Sequence, residues 1–281
     1  MRNGDSQLTD LASYGLVSGP LWASVFALAT ACAGGSGAGN RERSLKQYEL
    51  AIGLQTEGNQ VGAIKTLQDA LELDPDNDKA HQLMASLYLL YRDDDVERHD
   101  KLADEHFKKA IELQSKKDEP DTQLLADAYN GLGVLRIHQG DYNAAVTLLK
   151  QAVDVDPFNP GAYMAWGNLG WAYQELGNLE DAQGALLRSV KLNAGFCVGH
   201  YRLGSIYLAT KKYEDADQAL TQALEAHESC GTFQDAWHLR GEARMNLGQR
   251  EDARADFERC VELAPKTEAG ASCARYLEAT H

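Results

Sequence analysis

One stretch of the sequence, residues 166–186, constrains the fold more than any other. Its first half repeats bulky and small residues at the spacing of one helix face: Trp166, Leu169, Gly170 and Tyr173. Gly177 and Asn178 then have turn chemistry, and a second helical run follows them. Small Gly170 and Ala182 are expected to let the two helices approach closely. One such hairpin cannot bury its apolar face alone, so the stretch predicts further copies on either side.

Copies of this hairpin account for most of the chain. Alignment on the turn glycine and on the pattern A-x3-[LF]-x2-A gives six copies with a period of about 34 residues. The second helix of each copy carries the same apolar pattern: Ala63, Leu67 and Ala70; Ala103, Phe107 and Ala110; Ala145, Leu149 and Ala152; Ala182, Leu186 and Ser189; Ala216, Leu220 and Ala223; Ala253, Phe257 and Cys260. The second copy has an insertion within Asp93–Asp100, for which we expect a solvated loop. The copies span residues 44–265, and residues 266–281 are predicted to form a capping helix.

This pattern resembles the tetratricopeptide repeat, TPR, a helix–turn–helix unit of the same length. The resemblance implies an all-α fold, a right-handed superhelical solenoid of six repeats with a C-terminal capping helix. It also implies a concave face made mainly by the first helix of each repeat. No alternating strand run and no βαβ pattern competes with this interpretation.

The charge balance argues against nucleic acid as a partner. The chain has 42 acidic and 27 basic residues and a formal net charge of −15. Proteins that bind phosphate backbones need clustered lysine and arginine, which the sequence lacks.

The N-terminus predicts export and membrane anchoring. Residues 1–31 are expected to form a signal peptide, because an apolar run too short to span a bilayer ends in small residues before Cys32. The segment ending at Cys32 resembles a bacterial lipobox, which implies a lipidated cysteine, and Ala33 after it implies the outer membrane, facing the periplasm. Residues 32–43, rich in Gly and Ser, are predicted to be a flexible tether. The alternatives are that the segment is an uncleaved anchor, or that Cys32 is an ordinary thiol in a disordered leader.

Nothing in the sequence predicts an enzyme, a cofactor or a metal site. Four of the eight histidines, His81, His138, His200 and His238, lie on first helices of different repeats, so no pair has ligand spacing. The acidic run Asp93–Asp95 lacks the alternating frame of a calcium loop. Phosphate loops and nucleophile elbows are also absent.

Four further cysteines lie in the last third of the chain: Cys197, Cys230, Cys260 and Cys273. If the domain is exported, disulfides are expected, and four cysteines allow three connectivities. Neighbouring repeats bring Cys197 and Cys230 to similar positions, and Cys260 should face the capping helix that bears Cys273. We therefore favour the pairs Cys197–Cys230 and Cys260–Cys273. The alternative is four buried free thiols.

The TPR resemblance also places groove-lining positions on the first helices. Read onto this chain, they are Tyr48, Ile52, Asn130, Val134, Ile137, Met164, Trp171, Tyr201, Leu208 and Met245. Many are apolar, and an exposed apolar strip usually marks a binding site, although any one of them could belong to the core. Asn130, Asn168 and Arg202 lie near the positions of a carboxylate clamp, but the accompanying lysines are missing. An amphipathic partner segment is therefore the expected occupant.

The lipobox-like Cys32, the tether and six repeats together resemble the PilF/PilW and Tgl group of TPR lipoproteins. That resemblance implies a non-enzymatic pilotin, which helps an outer-membrane secretin of the type IV pilus to assemble. The expected partner is then a secretin subunit, held by a hydrophobic segment in the groove. A general periplasmic scaffold in envelope assembly or polysaccharide export, and an accessory domain for an enzyme partner, are the alternatives.

Overall fold

The computed structural model describes residues 37–91, 95–157, 159 and 161–279. The predicted signal peptide and Cys32 lie outside the described residues. Among the described helices, none combines the length and the apolar character needed to cross a bilayer.

Thirteen α-helices and one short 3₁₀ helix, with no strands, make up the described part of the chain. The helices are α1 (Gly37–Thr56), α2 (Gln60–Leu73), α3 (Asp78–Leu90), α4 (Val96–Ser115), α5 (Thr122–His138), α6 (Tyr142–Val155), α7 (Ala162–Glu175), α8 (Leu179–Leu192), α9 (Cys197–Ala209), α10 (Tyr213–Glu225), α11 (Gln234–Asn246), α12 (Arg250–Leu263) and α13 (Glu268–Ala279). The 3₁₀ helix Glu228–Thr232 lies between α10 and α11.

These helices form six consecutive pairs, α1–α2 to α11–α12, followed by α13 against the last pair. Each helix packs on its chain neighbours, and the first helices of successive pairs also contact one another. The predicted all-α solenoid of six tetratricopeptide repeats with a C-terminal helix is confirmed.

A glycine on each of the first helices α5, α7, α9 and α11 sets the helix spacing in its repeat. A Cβ built on Gly170 would lie 2.5 Å from Leu186 Cγ, and one built on Gly204 would lie 2.5 Å from Leu220 Cγ. Gly241 meets Phe257 in the same way. The close approach expected at Gly170 therefore recurs along the array, and the large residue of the second helix fills the space beside the glycine.

Glycine also closes four of the turns between paired helices. Gly58, Gly140, Gly177 and Gly248 have φ between 75° and 78°. This left-handed conformation suits glycine because it has no Cβ. In the fifth repeat Lys211 takes this position, with a φ of 60°.

Two helix starts differ from the sequence prediction. Helix α1 begins at Gly37, so residues 37–43 are helical instead of belonging to a flexible tether. The run from Ala38 to Arg43 contains good helix formers, and Lys46 pairs with Glu42 one turn away, which supports helix there.

In the second repeat α4 has 20 residues, whereas the corresponding helices α2 and α6 have 14 each. Much of the insertion therefore extends α4 at its start, from Val96, instead of forming only a loop.

The structure pairs the four C-terminal cysteines as favoured from the sequence. Cys197 and Cys230 form one disulfide, with Cα atoms 5.9 Å apart, and Cys260 and Cys273 form the other, with Cα atoms 6.3 Å apart. Cys260 and Cys273 are fully buried. The second bond joins the last repeat to α13.

Candidate partner-binding groove

The groove is defined here as the surface formed by the first helices α1, α3, α5, α7, α9 and α11. The predicted groove residues differ widely in exposure. Ile52 is 39% exposed and Met164 is 40% exposed, so both can contact a partner. Six others are half-buried: Tyr48, Asn130, Val134, Tyr201, Leu208 and Met245. The apolar strip is therefore less continuous than the sequence suggested.

Two predicted groove residues belong to the core. Ile137 is 3% exposed and Trp171 is 8% exposed, and both pack in one cluster with Leu169. The prediction that they line an open apolar strip is wrong. The helical period predicts the helix face on which a residue lies. It does not predict which side chain of the next repeat covers that face.

Arg202 is the side chain that covers Trp171. Its guanidinium carbon lies 4.0 Å from the centre of a Trp171 ring, and the Trp171 Nε1 donates to Glu175 Oε1 at 3.3 Å. The ring of His138 approaches Trp171 edge-on from the preceding repeat, with centroids 6.2 Å apart. Trp171 therefore joins three successive repeats by cation–π and aromatic contacts.

Polar side chains bridge neighbouring first helices. The Asn168 amide donates to Asn130 Oδ1 at 3.0 Å, which joins α7 to α5. The Gln174 amide donates to the Ser205 hydroxyl at 3.2 Å, which joins α7 to α9. Sequence reasoning missed the second bridge, because only the inter-repeat register brings its two residues together. The middle of the groove is therefore lined by amides and a hydroxyl as well as by apolar groups.

The carboxylate clamp considered from the sequence is not assembled. Arg202 is buried and stacked on Trp171, while Asn130 and Asn168 bond to each other. The arrangement fits the sequence-based view that a chaperone-type receptor for C-terminal carboxylates is less favoured.

A pocket of about 270 Å³ lies between the fifth repeat, the sixth repeat and α13. Leu208 and Met245, both predicted from the sequence as groove residues, line it together with Lys211 and Tyr276. Glu242 also lines the pocket, and its Oε1 accepts a hydrogen bond from the Tyr276 hydroxyl at 3.0 Å. The pocket thus combines apolar walls with a small number of polar groups.

A second, more open cavity of about 720 Å³ lies against the extended start of α4. Val96, Glu97 and Lys101 of α4 line it together with Arg136 of α5 and Gln139, which follows α5. Charges of both signs line this cavity, so its chemistry does not select one class of ligand.

The histidines form a local contact that sequence spacing did not show. The Nδ1 atoms of His81 and His106 lie 2.8 Å apart, and His81 Nε2 lies 2.9 Å from the Pro75 carbonyl oxygen. Burial lowers the pKa of both imidazoles, and that of His106 falls to about 4.

On α5, the pKa of the Asp127 carboxyl group is raised to about 6, mainly by burial and also by the charge of Asp121. The described residues contain no group of three or more side chains suited to a metal ion.

Comparison with known families supports the repeat assignment. Family profiles described as tetratricopeptide repeat match residues 97–157, 136–195, 199–230 and 234–267. Together these matches span more than half of the chain. They begin in the second helix of the second repeat and extend to the end of the sixth repeat.

Curated relatives share only a repeat segment with this chain. Human cilia- and flagella-associated protein 70 is 32% identical over 108 residues, which are 37% of this chain and 9% of that protein. Mouse DnaJ homolog subfamily C member 7 is 29% identical over 108 residues, 38% of this chain and 21% of that protein. The chain thus spans less than a quarter of the length of these relatives.

Two solved structures match over nearly their whole length. PilF of Pseudomonas aeruginosa superimposes with a TM-score of 0.70 and 22% identity, covering 84% of this chain and 99% of that one. PilW, described as a type IV pilus biogenesis factor, gives a TM-score of 0.67 and 19% identity, covering 83% and 99%. At these identities the likeness concerns the fold. On the repeat matches and the helical architecture, the chain belongs to the tetratricopeptide repeat proteins.

Proposed function

We propose that this chain is a non-enzymatic, protein-binding scaffold that acts as a pilotin-like assembly factor for an outer-membrane secretin in type IV pilus biogenesis. The observation that carries the proposal is the end-to-end match with PilF and PilW, 99% of each chain. The fold of a protein described as a pilus biogenesis factor thus matches most of this chain.

The groove supplies the binding surface in this proposal. Met164 and Ile52 expose apolar side chains on first helices, and Leu208 and Met245 line the pocket between the fifth and sixth repeats. These separated apolar positions suit a partner segment that offers apolar anchors at intervals, as an amphipathic helix or strand does. The polar bridges between the anchors, such as Asn168 to Asn130, fit the polar face or backbone of such a segment.

Membrane attachment belongs to the same proposal. Cys32 would carry lipid and hold the array at the outer membrane, facing the periplasm, where secretin subunits arrive. Replacing Cys32 by Ala should release the protein from the membrane fraction. Unchanged membrane association would contradict the lipid assignment.

Deletion of the gene tests the function directly. We expect the deletion strain to lose heat-resistant secretin multimers on immunoblots while secretin monomer persists. Normal multimers in the deletion strain would overturn the pilotin proposal.

Placing a charged residue in the groove tests whether this surface binds the partner. Met164→Asp should reduce secretin multimers, because it places a carboxylate at an exposed apolar position of a first helix. Leu187→Asp is the matched control, since Leu187 is 43% exposed but lies on the second helix α8. Equal loss with both variants, at equal protein levels, would argue against the groove.

A general adaptor in envelope assembly is the second candidate. The amide and hydroxyl bridges between first helices also fit a polar partner segment, which a general adaptor would bind. Normal secretin multimers in the deletion strain, together with another envelope defect, would select this alternative.

A further inference from the structure

The turn of the fifth repeat differs at two adjacent positions from the four described turns that are closed by glycine. In those four turns a glycine in the left-handed conformation is followed by a polar residue at the N-cap of the second helix, as in Gly58-Asn59 and Gly140-Asp141. In the fifth repeat the corresponding residues are Lys211, with a φ of 60°, and Lys212. Lys211 thus has a backbone conformation that favours glycine, and Lys212 occupies a helix N-cap position, where Asn, Asp, Ser and Thr are preferred.

Both replacements work against stability. A side chain with a Cβ is strained at the φ of Lys211, because the left-handed region brings Cβ close to the following carbonyl oxygen. Asn59 and Asp141 accept a hydrogen bond from a backbone N–H of the helix that they begin, whereas a lysine ammonium can only donate. A backbone outlier kept against stability points to a functional constraint on the side chain that it carries.

The two lysines face different surroundings. Lys211 lines the pocket of about 270 Å³ together with Leu208, Met245 and Tyr276. Lys212 instead reaches the preceding repeat, where its Nζ lies 3.4 Å from Gln183 Oε1. Of the two lysines, Lys211 lines the pocket and Lys212 does not.

Lys211 is exposed, and no ion pair engages it within the described part of the chain. The other charged group of the pocket, Glu242, is already held by the Tyr276 hydroxyl and lies 3.4 Å from His238 Nε2. A cavity of this volume lies below the usual range of about 300–1,000 Å³ for small-molecule sites. It suits one side chain of a partner better than a cofactor.

We propose that Lys211 and this pocket form a subsite for an acidic, apolar segment of a protein partner. One apolar side chain of the segment would enter between Leu208 and Met245, and a neighbouring carboxylate would pair with the Lys211 ammonium. The inference rests on the proposed protein-binding function of the groove, and it adds the chemistry of one part of the partner.

Stability and binding should move in opposite directions when Lys211 is replaced. Lys211→Gly restores the glycine found in four other turns, so its melting temperature should rise by about 2–4 °C. The matched control is Lys212→Asn, which restores a capping residue and removes the same charge at the adjacent position outside the pocket. Lys211→Asn, which also tolerates the left-handed region, serves as a second neutral variant.

Binding is measured with two capped hexapeptides, GLFDEG and its amide counterpart GLFNQG, at low ionic strength. The acidic peptide should bind the wild-type protein about two- to fivefold more tightly, the range expected for one exposed ion pair. Lys211→Gly and Lys211→Asn should abolish this difference, and Lys212→Asn should preserve it.

Several outcomes would overturn the subsite. The wild-type protein could bind the two peptides with equal affinity, or the affinity difference could persist in Lys211→Gly. The Lys211 and Lys212 variants could change the affinity difference equally. Finally, Lys211→Gly could lose binding together with a fall in melting temperature. Lys211-dependent binding to phosphatidylglycerol vesicles without any preference between the peptides would assign the site to a membrane instead. The secretin multimer assay uses neither peptide, so the proposed function and the subsite can fail independently.

Discussion

At the scale of single residues, small side chains on the first helices decide how closely the paired helices pack. Gly170 is the clearest case, because a built Cβ would lie 2.5 Å from Leu186 Cγ and 3.2 Å from the Ala182 carbonyl oxygen. Leu186 is fully buried and has little room to move. Gly184, on α8, has nothing within 4 Å of a built Cβ.

We expect opposite effects of alanine at these two glycines. Gly170→Ala should lower the free energy of unfolding by about 1–3 kcal/mol, the usual cost of overpacking. Gly184→Ala should raise it by about 0.5–1 kcal/mol, because alanine is the better helix former. Urea denaturation followed by circular dichroism measures both. If the two variants proved equally stable, close packing at Gly170 would not be the constraint that we infer.

The contact between His81 and His106 makes stability depend on pH. Two imidazole nitrogens 2.8 Å apart form a hydrogen bond in which one nitrogen donates and the other accepts. When both rings are protonated, both nitrogens are donors, and this hydrogen bond is lost. Burial lowers the pKa of both imidazoles, and that of His106 falls to about 4. For His81, the hydrogen bond to the Pro75 carbonyl and the charges of Asp76 and Asp78 oppose this lowering, whereas Lys109 adds to it. The folded state therefore favours neutral imidazoles, and their stabilisation is complete above about pH 6.5 and lost as the pH falls towards 4.

His106→Phe should remove part of this dependence. Relative to the variant, the wild-type protein should lose about 1–3 kcal/mol of unfolding free energy between pH 6.5 and pH 4. Asp127, with a pKa raised to about 6, contributes in the opposite direction, but it is present in both proteins and cancels in the comparison. Parallel stability curves for the two proteins over this range would contradict the prediction.

At the scale of elements, the helices could be predicted from sequence patterns because the same spacing of buried residues recurs in each repeat. Leu67, Leu149 and Leu186 are fully buried at corresponding positions of second helices, as their common spacing required. The starts of α1 and α4 could not be predicted in the same way. Residues 37–43 and the insertion before Asp100 carry no repeat pattern, so only their helix propensity, a weak signal, favoured helix there.

The groove was less predictable than the helices. Trp171 lies on the face that spacing gave it, yet Arg202 and His138 of the neighbouring repeats cover that face. The rotation between successive repeats decides such contacts, and it depends on many small packing differences. Sequence periodicity is therefore sufficient to place residues on faces, whereas the exposure of each face depends on the next repeat.

At the scale of the whole molecule, each repeat interacts mainly with its neighbours, so stability is a sum of local contributions. The C-terminal repeats carry additional links. Arg240 donates twice to Asp256 within the sixth repeat, and Arg244 Nε donates to Asp217 of the fifth at 2.7 Å. Both disulfides lie in the same region, between residues 197 and 273. The distribution of these links predicts that the C-terminal end is held more firmly than nearest-neighbour packing alone would achieve.

Reduction of the disulfides should therefore loosen one end of the array only. The bonds close loops with sequence separations of 33 and 13 residues, and each should contribute about 3–4 kcal/mol by limiting the unfolded chain. Hydrogen exchange should accelerate in α9 to α13 after reduction and alkylation, and it should stay unchanged in α1 to α6, which no disulfide of the described residues reaches. The two cysteine pairs should also be replaced by serine separately. Loss of Cys197–Cys230 should accelerate exchange at the start of the fifth repeat, and loss of Cys260–Cys273 should accelerate it in α13. Acceleration spread evenly over all thirteen helices would mean that the array unfolds as one unit, and the nearest-neighbour description would then be wrong.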